Sequence, residues 1–277
     1  MSHQVGIDVR VRGRGRLNAD ELGEHLTASQ QKNLTVDLAA LTFIEPAGLV
    51  SVAVIIEDAV AAGREVTFRP PKDEDLAGYL ARMRMGEHLD FLGVGHTLPQ
   101  VHERRAGHRL VELRRFDGHD GLEALIETLI RTYVDDRPEL IQPLYTALDE
   151  IAVNVLEHSG RSHGLVAMQR YDKRNDIAFA IGDSGVGLRA RLSTVHPVQD
   201  DRLAVVRAAQ THVSTIDQPG RGRGIRRVID LTGAHQGSVR LVSGHACGAF
   251  TGGHPDPQLT SVGGHFPGTL AHVRLSL

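Results

Sequence analysis

One stretch without hydrophobic periodicity divides the chain. Residues 93–109, GVGHTLPQVHERRAGHR, are rich in Gly, Pro, His and Arg, whereas the sequence on either side follows patterns typical of helices and strands. A chain of 277 residues is long enough to build two ordinary hydrophobic cores. We therefore predict two domains, residues 1–95 and 110–277, joined by a linker of residues 96–109.

The first half predicts a βαβα order. LTVDL at residues 34–38 is typical of a short strand, and Pro46 begins an apolar helical segment that ends before Gly63. A second strand is predicted at residues 64–68. After a double proline, residues 73–93 carry apolar side chains at helical spacing and predict one further amphipathic helix.

The second half predicts helices, a hairpin, a glycine-rich stretch and a return to strands. The predicted elements are a strand at 110–116, helices at 122–133 and from 138 onward, a hairpin of GLVAMQRYD and DIAFAIGD, helices near 200–211 and 225–231, and strands near 238–242 and 270–275. This order predicts an α+β sandwich with helices on one face of the sheet.

Composition excludes several classes of function. A net charge of -3 provides neither the broad basic field that nucleic acid requires nor a polybasic face for a membrane. The single cysteine, Cys247, excludes an internal disulfide framework and a Cys-rich zinc site. No apolar run approaches the roughly 20 residues of a membrane span, and the first residues lack the apolar core of a signal peptide. We expect a cytoplasmic protein.

Two other patterns have ordinary structural explanations. The segment 244–266 contains His245, Cys247, His254 and His265, but their spacing fits no standard zinc pattern, and we interpret the segment as a polar loop. At residues 10–16 arginine alternates with smaller residues, which is typical of the solvent face of an edge strand.

A polar line follows the helix LDEIAVNVLEHS. At about 100° per residue, Glu150, Asn154 and Glu157 lie beside the apolar arc, and His158 falls between the two. Side chains at such a rim can reach the edge of a cavity. A solvated helix face is the alternative explanation, and His158 could equally bind a carbonyl at the helix end.

A carboxylate, Asp183, directly follows the predicted strand DIAFAIG, and Gly185 and Gly187 come next. Such a carboxylate can accept a hydrogen bond from an exocyclic amine, and the glycines allow the backbone to approach a flat ring. The alternative is a turn that begins at the aspartate and caps the strand.

Glycine and arginine alternate immediately before the helix predicted at 225–231, at Gly220, Arg221, Gly222, Arg223 and Gly224. Backbone N–H groups ahead of a helix can bind an anion, and arginine adds charge for phosphate. A flexible basic loop is the alternative. The sequence has no P-loop motif, and the glycine spacing at 185–190 lacks the βαβ context of a dinucleotide fingerprint.

These three motifs, in this order, resemble the GHKL ATPase superfamily, which includes histidine kinases, gyrase B, Hsp90 and the anti-sigma factor serine kinases. The resemblance covers residues 110–277 and implies a Bergerat-fold α/β sandwich with a mixed sheet that binds ATP and Mg²⁺. By resemblance, Glu150 is the general base or orients the attacking group, and Asn154 is the magnesium ligand. Asp183 reads adenine, with Gly185 and Gly187 as its hinge.

The same resemblance assigns the remaining motif residues. Gly220, Gly222 and Gly224 match the second glycine box beside the phosphates, with Arg221 and Arg223 between them. Residues 188–219 resemble the ATP lid, and Gly268-Thr269 is similar to the closing Gly-Thr pair. ALDEIAVNVLEHSG and THVSTIDQPGRGRGI most resemble the anti-sigma factor serine kinases, since no long helix with a phospho-accepting histidine precedes them.

Residues 5–95 resemble a STAS domain, the fold of anti-sigma factor antagonists. Those proteins carry a phosphorylated serine in an Asp-Ser-Ser-Gly-like turn. Here the matching residues are Glu45-Pro46-Ala47-Gly48, without a hydroxyl, and the nearby Thr42 and Ser51 do not match the position.

The resemblances imply a two-domain signalling regulator that binds Mg-ATP and transfers phosphate to a protein Ser/Thr or hydrolyses ATP. The alternative is a non-catalytic nucleotide-sensing module that docks a partner through its STAS-like domain. The implied partner is an anti-sigma antagonist, a sigma factor or another regulator, and a homodimer is compatible with either function.

Overall fold

The computed structural model describes residues 8–18, 22, 26–29, 33–100, 110–133, 138–210 and 224–277. These residues form helices and two separate sheets, one of four strands and one of five. The predicted α+β class is therefore correct.

The first sheet has the order β2-β1-β3-β4 and contains β1 (Asp8–Leu17), β2 (Leu26–Ser29), β3 (Leu34–Ile44) and β4 (Val66–Arg69). Strands β1, β3 and β4 run parallel, and β2 pairs antiparallel with the start of β1. The prediction that the arginine-rich strand lies at an edge is wrong, because the short strand β2, which has no clear sequence pattern, covers that side of β1.

The described ranges of the first half give the bounds of three helices: α1 (Pro46–Ala61), α2 (Glu74–Arg82) and α3 (Met85–Phe91). Pro46 begins α1 and Gly63 follows its end with φ +68°, as predicted. The single helix predicted at 73–93 is instead two helices, because Arg84 adopts a left-handed backbone at φ 60° and interrupts the hydrogen-bond ladder.

The second sheet has the order β5-β6-β7-β9-β8. Its strands are β5 (Leu110–Asp117), β6 (His163–Tyr171), β7 (Asp176–Asp183), β8 (Ser238–Thr251) and β9 (Gln258–Ser276). All four ladders are antiparallel, so the expected mixed sheet is wrong for this half. Strands β6 and β7, and β8 and β9, are joined by short hairpin turns, which only antiparallel strands allow.

Five helices lie in the part of the second half that the structure describes: α4 (Gly118–Tyr133), α5 (Ile141–His158), α6 (Gly187–Leu192), α7 (Asp201–Ala208) and α8 (Gly224–Ala234). A 3-10 turn, Pro138–Leu140, precedes α5. Helix α6 was not predicted, and β8 and β9 are much longer than expected. The segment interpreted as a polar loop is the outer part of their hairpin, where Gly244 at φ +60° accompanies a shift in register.

Both faces of the second sheet are covered. Helices α4, α5 and α8 pack on one face around Met168, Phe179 and Val273. On the other face, Leu165, Ala180 and Leu270 join one core cluster with the residues of α1 and the first sheet. Nearly all of α1 is buried, because it lies between the two sheets. The helices of the second half thus cover one face, and the first half supplies the cover for the other.

Neither a membrane-spanning helix nor a cluster of acidic, histidine or cysteine ligands for a metal ion is found within these ranges. No helix of the described part combines the length and apolar character needed to cross a bilayer. Across the same residues, no group of three or more His, Cys, Asp or Glu side chains could hold a metal ion. His245 and His265 contact each other edge to face, with ring centroids 5.3 Å apart.

Candidate functional site

The polar line on α5 lies at the rim of the buried face. Glu150, Asn154, Glu157 and His158 are all half-buried, whereas Leu148, Ile151 and Val155 are buried in the core. Glu150 reaches across to α8, where Arg227 Nη1 donates a hydrogen bond to its Oε1 at 2.9 Å. The side chain of Glu150 is 27% exposed and that of Arg227 is 62% exposed, so this ion pair is open to water.

The first residue of α8 meets this polar line. A Cβ placed on Gly224 would lie 2.8 Å from Glu150 Oε2 and 3.2 Å from Asn154 Nδ2. Only glycine leaves both polar groups undisturbed at this distance. The Nδ2 atom of Asn154 is buried and has no hydrogen-bond partner within the described residues. Gly224 therefore brings the start of α8 directly against Glu150 and Asn154.

Asp183 is the last residue of β7 and is only 4% exposed. Its Oδ1 accepts a hydrogen bond from the backbone N–H of Gly185 at 2.8 Å, which forms the tight turn considered as an alternative above. Burial raises the pKa of Asp183 to about 6, while backbone N–H groups of Gly185 and Thr269 oppose the rise. A carboxylate has about four acceptor positions, so the turn leaves acceptor capacity for a further donor.

The turn after Asp183 is fastened to the end of α5. The N–H of Val186 donates to Ser159 O at 2.9 Å, and Arg161 Nε donates to Ser184 O at 3.0 Å. A Cβ on Gly185 would lie 2.1 Å from Ser159 O. Gly185 is therefore required for this close approach of two backbones.

Gly187 and Gly268 provide a second close approach under the same turn. Both have φ near +70°, and a Cβ on Gly268 would lie 2.0 Å from Asp183 O. Ser243 bridges the two segments, because its Oγ donates to Gly268 O at 2.7 Å and accepts from the N–H of Leu188 at 3.0 Å. Thr269 lies beside Asp183 in the β7–β9 ladder.

Helix α5 thus joins motifs that are far apart in sequence. Its end at Ser159 holds the Asp183 turn, and its middle at Glu150 and Asn154 contacts Gly224. At 1.5 Å per residue, Ser159 and Glu150 are about 13 Å apart along the helix axis. This span is on the order of the length of an extended nucleoside triphosphate.

The remaining predicted site residues lie partly outside the described structure. Gly220, Arg221, Gly222 and Arg223 are not among the described residues. Part of the expected lid forms α6 and α7, which share a small apolar cluster of Leu192, Val198 and Ala204. His158 contacts this region, with its Nδ1 3.4 Å from Arg191.

The residues at the middle of α5 fit a magnesium ion that is held mainly by phosphate oxygens and water. Magnesium binds oxygen ligands and keeps several waters, so one amide oxygen from Asn154 is a sufficient protein contribution. The amide nitrogen of the same side chain, Nδ2, is buried and makes no hydrogen bond within the described residues.

Three residues of this arrangement were not predicted from the sequence. Arg227 lies one helical turn after Gly224, and this spacing in the sequence is the signal that places both residues on the same face of α8. Ser159 follows the polar line on α5 and could have been considered as its continuation. Ser243 gave no sequence signal, because its role depends on the bulge in a long hairpin.

The turn that resembles the STAS phosphorylation site lies elsewhere. Glu45 is 2% exposed and pairs with Arg174 at 2.8 Å and Arg274 at 2.9 Å. Arg174 precedes β7, whereas Asp183 ends it, so the two sites are separated by the length of that strand, about 24 Å.

No protein-family model matches the sequence, and a comparison with curated proteins finds no match. The assignment of a function therefore depends on the order of the motifs and on the contacts described above.

Proposed function

We propose that the second half is a GHKL-type, Bergerat-fold ATP-binding module and that the first half is a STAS-like module. The protein would act as a signalling regulator that binds Mg-ATP and transfers phosphate to a Ser/Thr of a protein partner, or to water. A cytoplasmic location is part of this proposal.

The observation that carries the proposal is the convergence of three motifs on α5. The Asp183 turn is fastened to Ser159, and Gly224 lies against Glu150 and Asn154. An isolated turn would not require a glycine such as Gly185, whose Cβ would lie 2.1 Å from the backbone oxygen of Ser159, and a solvated helix face would not have Gly224 against Glu150 and Asn154. This arrangement supports a ligand that extends along the helix.

Each residue has a distinct role in the proposed chemistry. Asp183 accepts a hydrogen bond from the exocyclic amine of adenine. Glu150 accepts the proton of the attacking hydroxyl, whose oxygen receives the phosphoryl group as ADP leaves. Asn154 would hold magnesium, which when bound neutralises charge on the phosphates. Gly220, Gly222 and Gly224, with Arg221 and Arg223, would surround the phosphates, and Thr269 would support Asp183 through its backbone.

The target of phosphate transfer is a partner rather than the first half of the same chain. Glu45-Pro46-Ala47-Gly48 has no hydroxyl, and Glu45 is buried at the opposite end of β7 from Asp183. The same observation favours a second candidate, a non-catalytic nucleotide-sensing module. In that case a partner would have to dock on a surface other than α1, because the second sheet already covers that helix.

Calorimetry with Mg-ATP tests the binding site. The wild type should bind, and Asp183→Asn should lose binding because the carboxylate that reads the amine is gone. Asp176→Asn is the matched control, since it makes the same change in a buried aspartate at the other end of β7. Equal binding by wild type and Asp183→Asn would remove the assigned role of Asp183, and absence of binding by the wild type would refute the module.

Turnover separates the two candidate functions. Glu150→Ala should retain Mg-ATP binding and lower ADP release, measured with candidate partner proteins present, by about 100-fold or more. A wild type that binds Mg-ATP and yet releases no ADP with any partner would favour the sensing module. Unchanged turnover in Glu150→Ala would show that Glu150 is not the base.

A further inference from the structure

The ion pair between Glu150 and Arg227 joins the proposed base to α8. Arg227 lies one turn after Gly224, and its guanidinium is largely exposed. Exposed ion pairs contribute little to stability because water and salt screen them. Arg227 can therefore leave Glu150 for another partner at little cost to the stability of the fold.

Other contacts hold α8 in place. Val228 and Ile229 are buried in the core beneath the helix. Arg226 pairs with Asp230 one turn further along the same helix. Arg227 is thus not needed to anchor α8, and its pairing occupies Oε1 of Glu150, the proposed base.

We propose that Arg227 reads the terminal phosphate of a nucleoside triphosphate, an inference that rests on the proposed function. Without nucleotide, Arg227 pairs with Glu150 and occupies its Oε1. When a triphosphate is bound, Arg227 pairs with its terminal phosphate and releases Glu150. A guanidinium suits this exchange, because its planar fork binds carboxylate and phosphate oxygens in the same bidentate manner.

The exchange couples recognition of the triphosphate to readiness of the base. A nucleoside diphosphate lacks the group that draws Arg227 away, so it leaves Glu150 paired. Arg227 is therefore a specificity-determining residue, and its effect appears in the ratio of ATP to ADP affinity rather than in binding alone.

Arg227→Gln tests this role, with the neighbouring Arg226→Gln as the matched control. Affinities for Mg-ATP and Mg-ADP are measured by calorimetry on the full chain, and thermal unfolding without nucleotide checks that each variant is folded. We expect Arg227→Gln to weaken the affinity for Mg-ATP about tenfold or more and to leave the affinity for Mg-ADP unchanged. Arg226→Gln should keep the wild-type ratio.

Glu150→Gln provides the reciprocal test. This variant keeps the shape of the side chain but removes the charge that holds Arg227, so ATP should bind more tightly while ADP affinity stays the same. Arg227→Lys, which keeps the charge and loses the planar fork, should restore part of the ATP preference and guards against misfolding of the glutamine variant.

The outcomes separate this inference from the function on which it rests. If the wild type binds both nucleotides equally, or if Arg227→Gln preserves the ratio or weakens both nucleotides alike, the role of Arg227 is refuted and the nucleotide site stands. If the wild type binds neither nucleotide, the proposed function itself fails, and the inference fails with it.

Discussion

Burial raises the pKa of Asp183 to about 6, although two backbone N–H groups favour its charged form. In the unfolded chain the same carboxyl has its ordinary pKa, near 3.8. The folded protein therefore binds more protons than the unfolded chain between these two values. It follows that ionisation of Asp183 opposes folding, and the free energy of unfolding decreases as pH rises through this window.

Comparison with Asp183→Asn isolates this effect. The wild type should lose stability relative to the variant as pH rises from about 4 to 6, by an amount on the order of 3 kcal/mol. Urea unfolding of both proteins across this range measures the difference. A difference that stays constant or changes in the opposite direction would contradict the assignment of the raised pKa to Asp183.

At the residue scale, the sequence identified groups that interrupt an otherwise apolar pattern. Glu150, Asn154 and Asp183 are polar residues in or next to buried elements, so they could be selected without a structure. Arg227 could not be selected in this way, because it lies among other charged residues and its partner is 77 positions away. Such pairings depend on helix packing that no local pattern determines.

At the element scale, the start of α1 is held by charge. Glu45 occupies the N-cap position, but its carboxylate makes no capping hydrogen bond and pairs instead with Arg174 and Arg274. Asp176 contacts the same two arginines at 3.4 and 3.6 Å. Two acids and two bases thus join the first helix to the second sheet.

Glu45→Gln should lower the free energy of unfolding by about 1–3 kcal/mol, since it leaves two guanidinium groups facing one carboxylate. The arginines are about one third exposed and can partly rehydrate, which keeps the expected loss moderate. Urea unfolding at neutral pH measures this loss. Asp58→Asn is the control, because the carboxylate that pairs with Arg64 is 33% exposed, against 2% for Glu45, and its loss should cost less than about 1 kcal/mol. Equal losses would show that burial of Glu45 adds nothing.

Element boundaries were predictable where proline, glycine or periodicity signals them, and were wrong where the backbone departs from these signals. Pro46 and Gly63 marked α1 correctly. The break at Arg84 could not be predicted, because no sequence pattern indicates that an arginine will adopt a left-handed backbone conformation. The outer hairpin of β8 and β9 was misjudged, since its glycines and histidines are typical of loops and its register shifts disrupt strand alternation.

At the scale of the whole molecule, the two halves share a core. A Cβ on Gly182 in β7 would lie 2.9 Å from Val50 and 3.1 Å from Val54 of α1. The sequence contained a sign of this burial, because a helix that is apolar on all sides must be covered on all sides. It could not show that the cover is the second sheet, since sequence patterns do not determine contacts between distant elements.

This shared core should make unfolding a single event. We expect one urea transition, with coincident loss of amide protection in β3 and β8, because neither half can bury α1 alone. Val54→Ala should lower the free energy of unfolding by about 2 kcal/mol, and amide protection in both strands should report the same loss. Loss of protection in β3 well before β8 would contradict this expectation and indicate independent domains.

The position of α1 also affects how the protein is made. One strand that covers it, β9, leaves the ribosome roughly 200 residues after α1, or about 10 to 40 s later at ordinary rates of synthesis. During that interval α1 exposes apolar side chains that β9 buries in the folded protein. We therefore expect newly made chains to be a substrate for chaperones that bind exposed apolar segments until β9 has been synthesised.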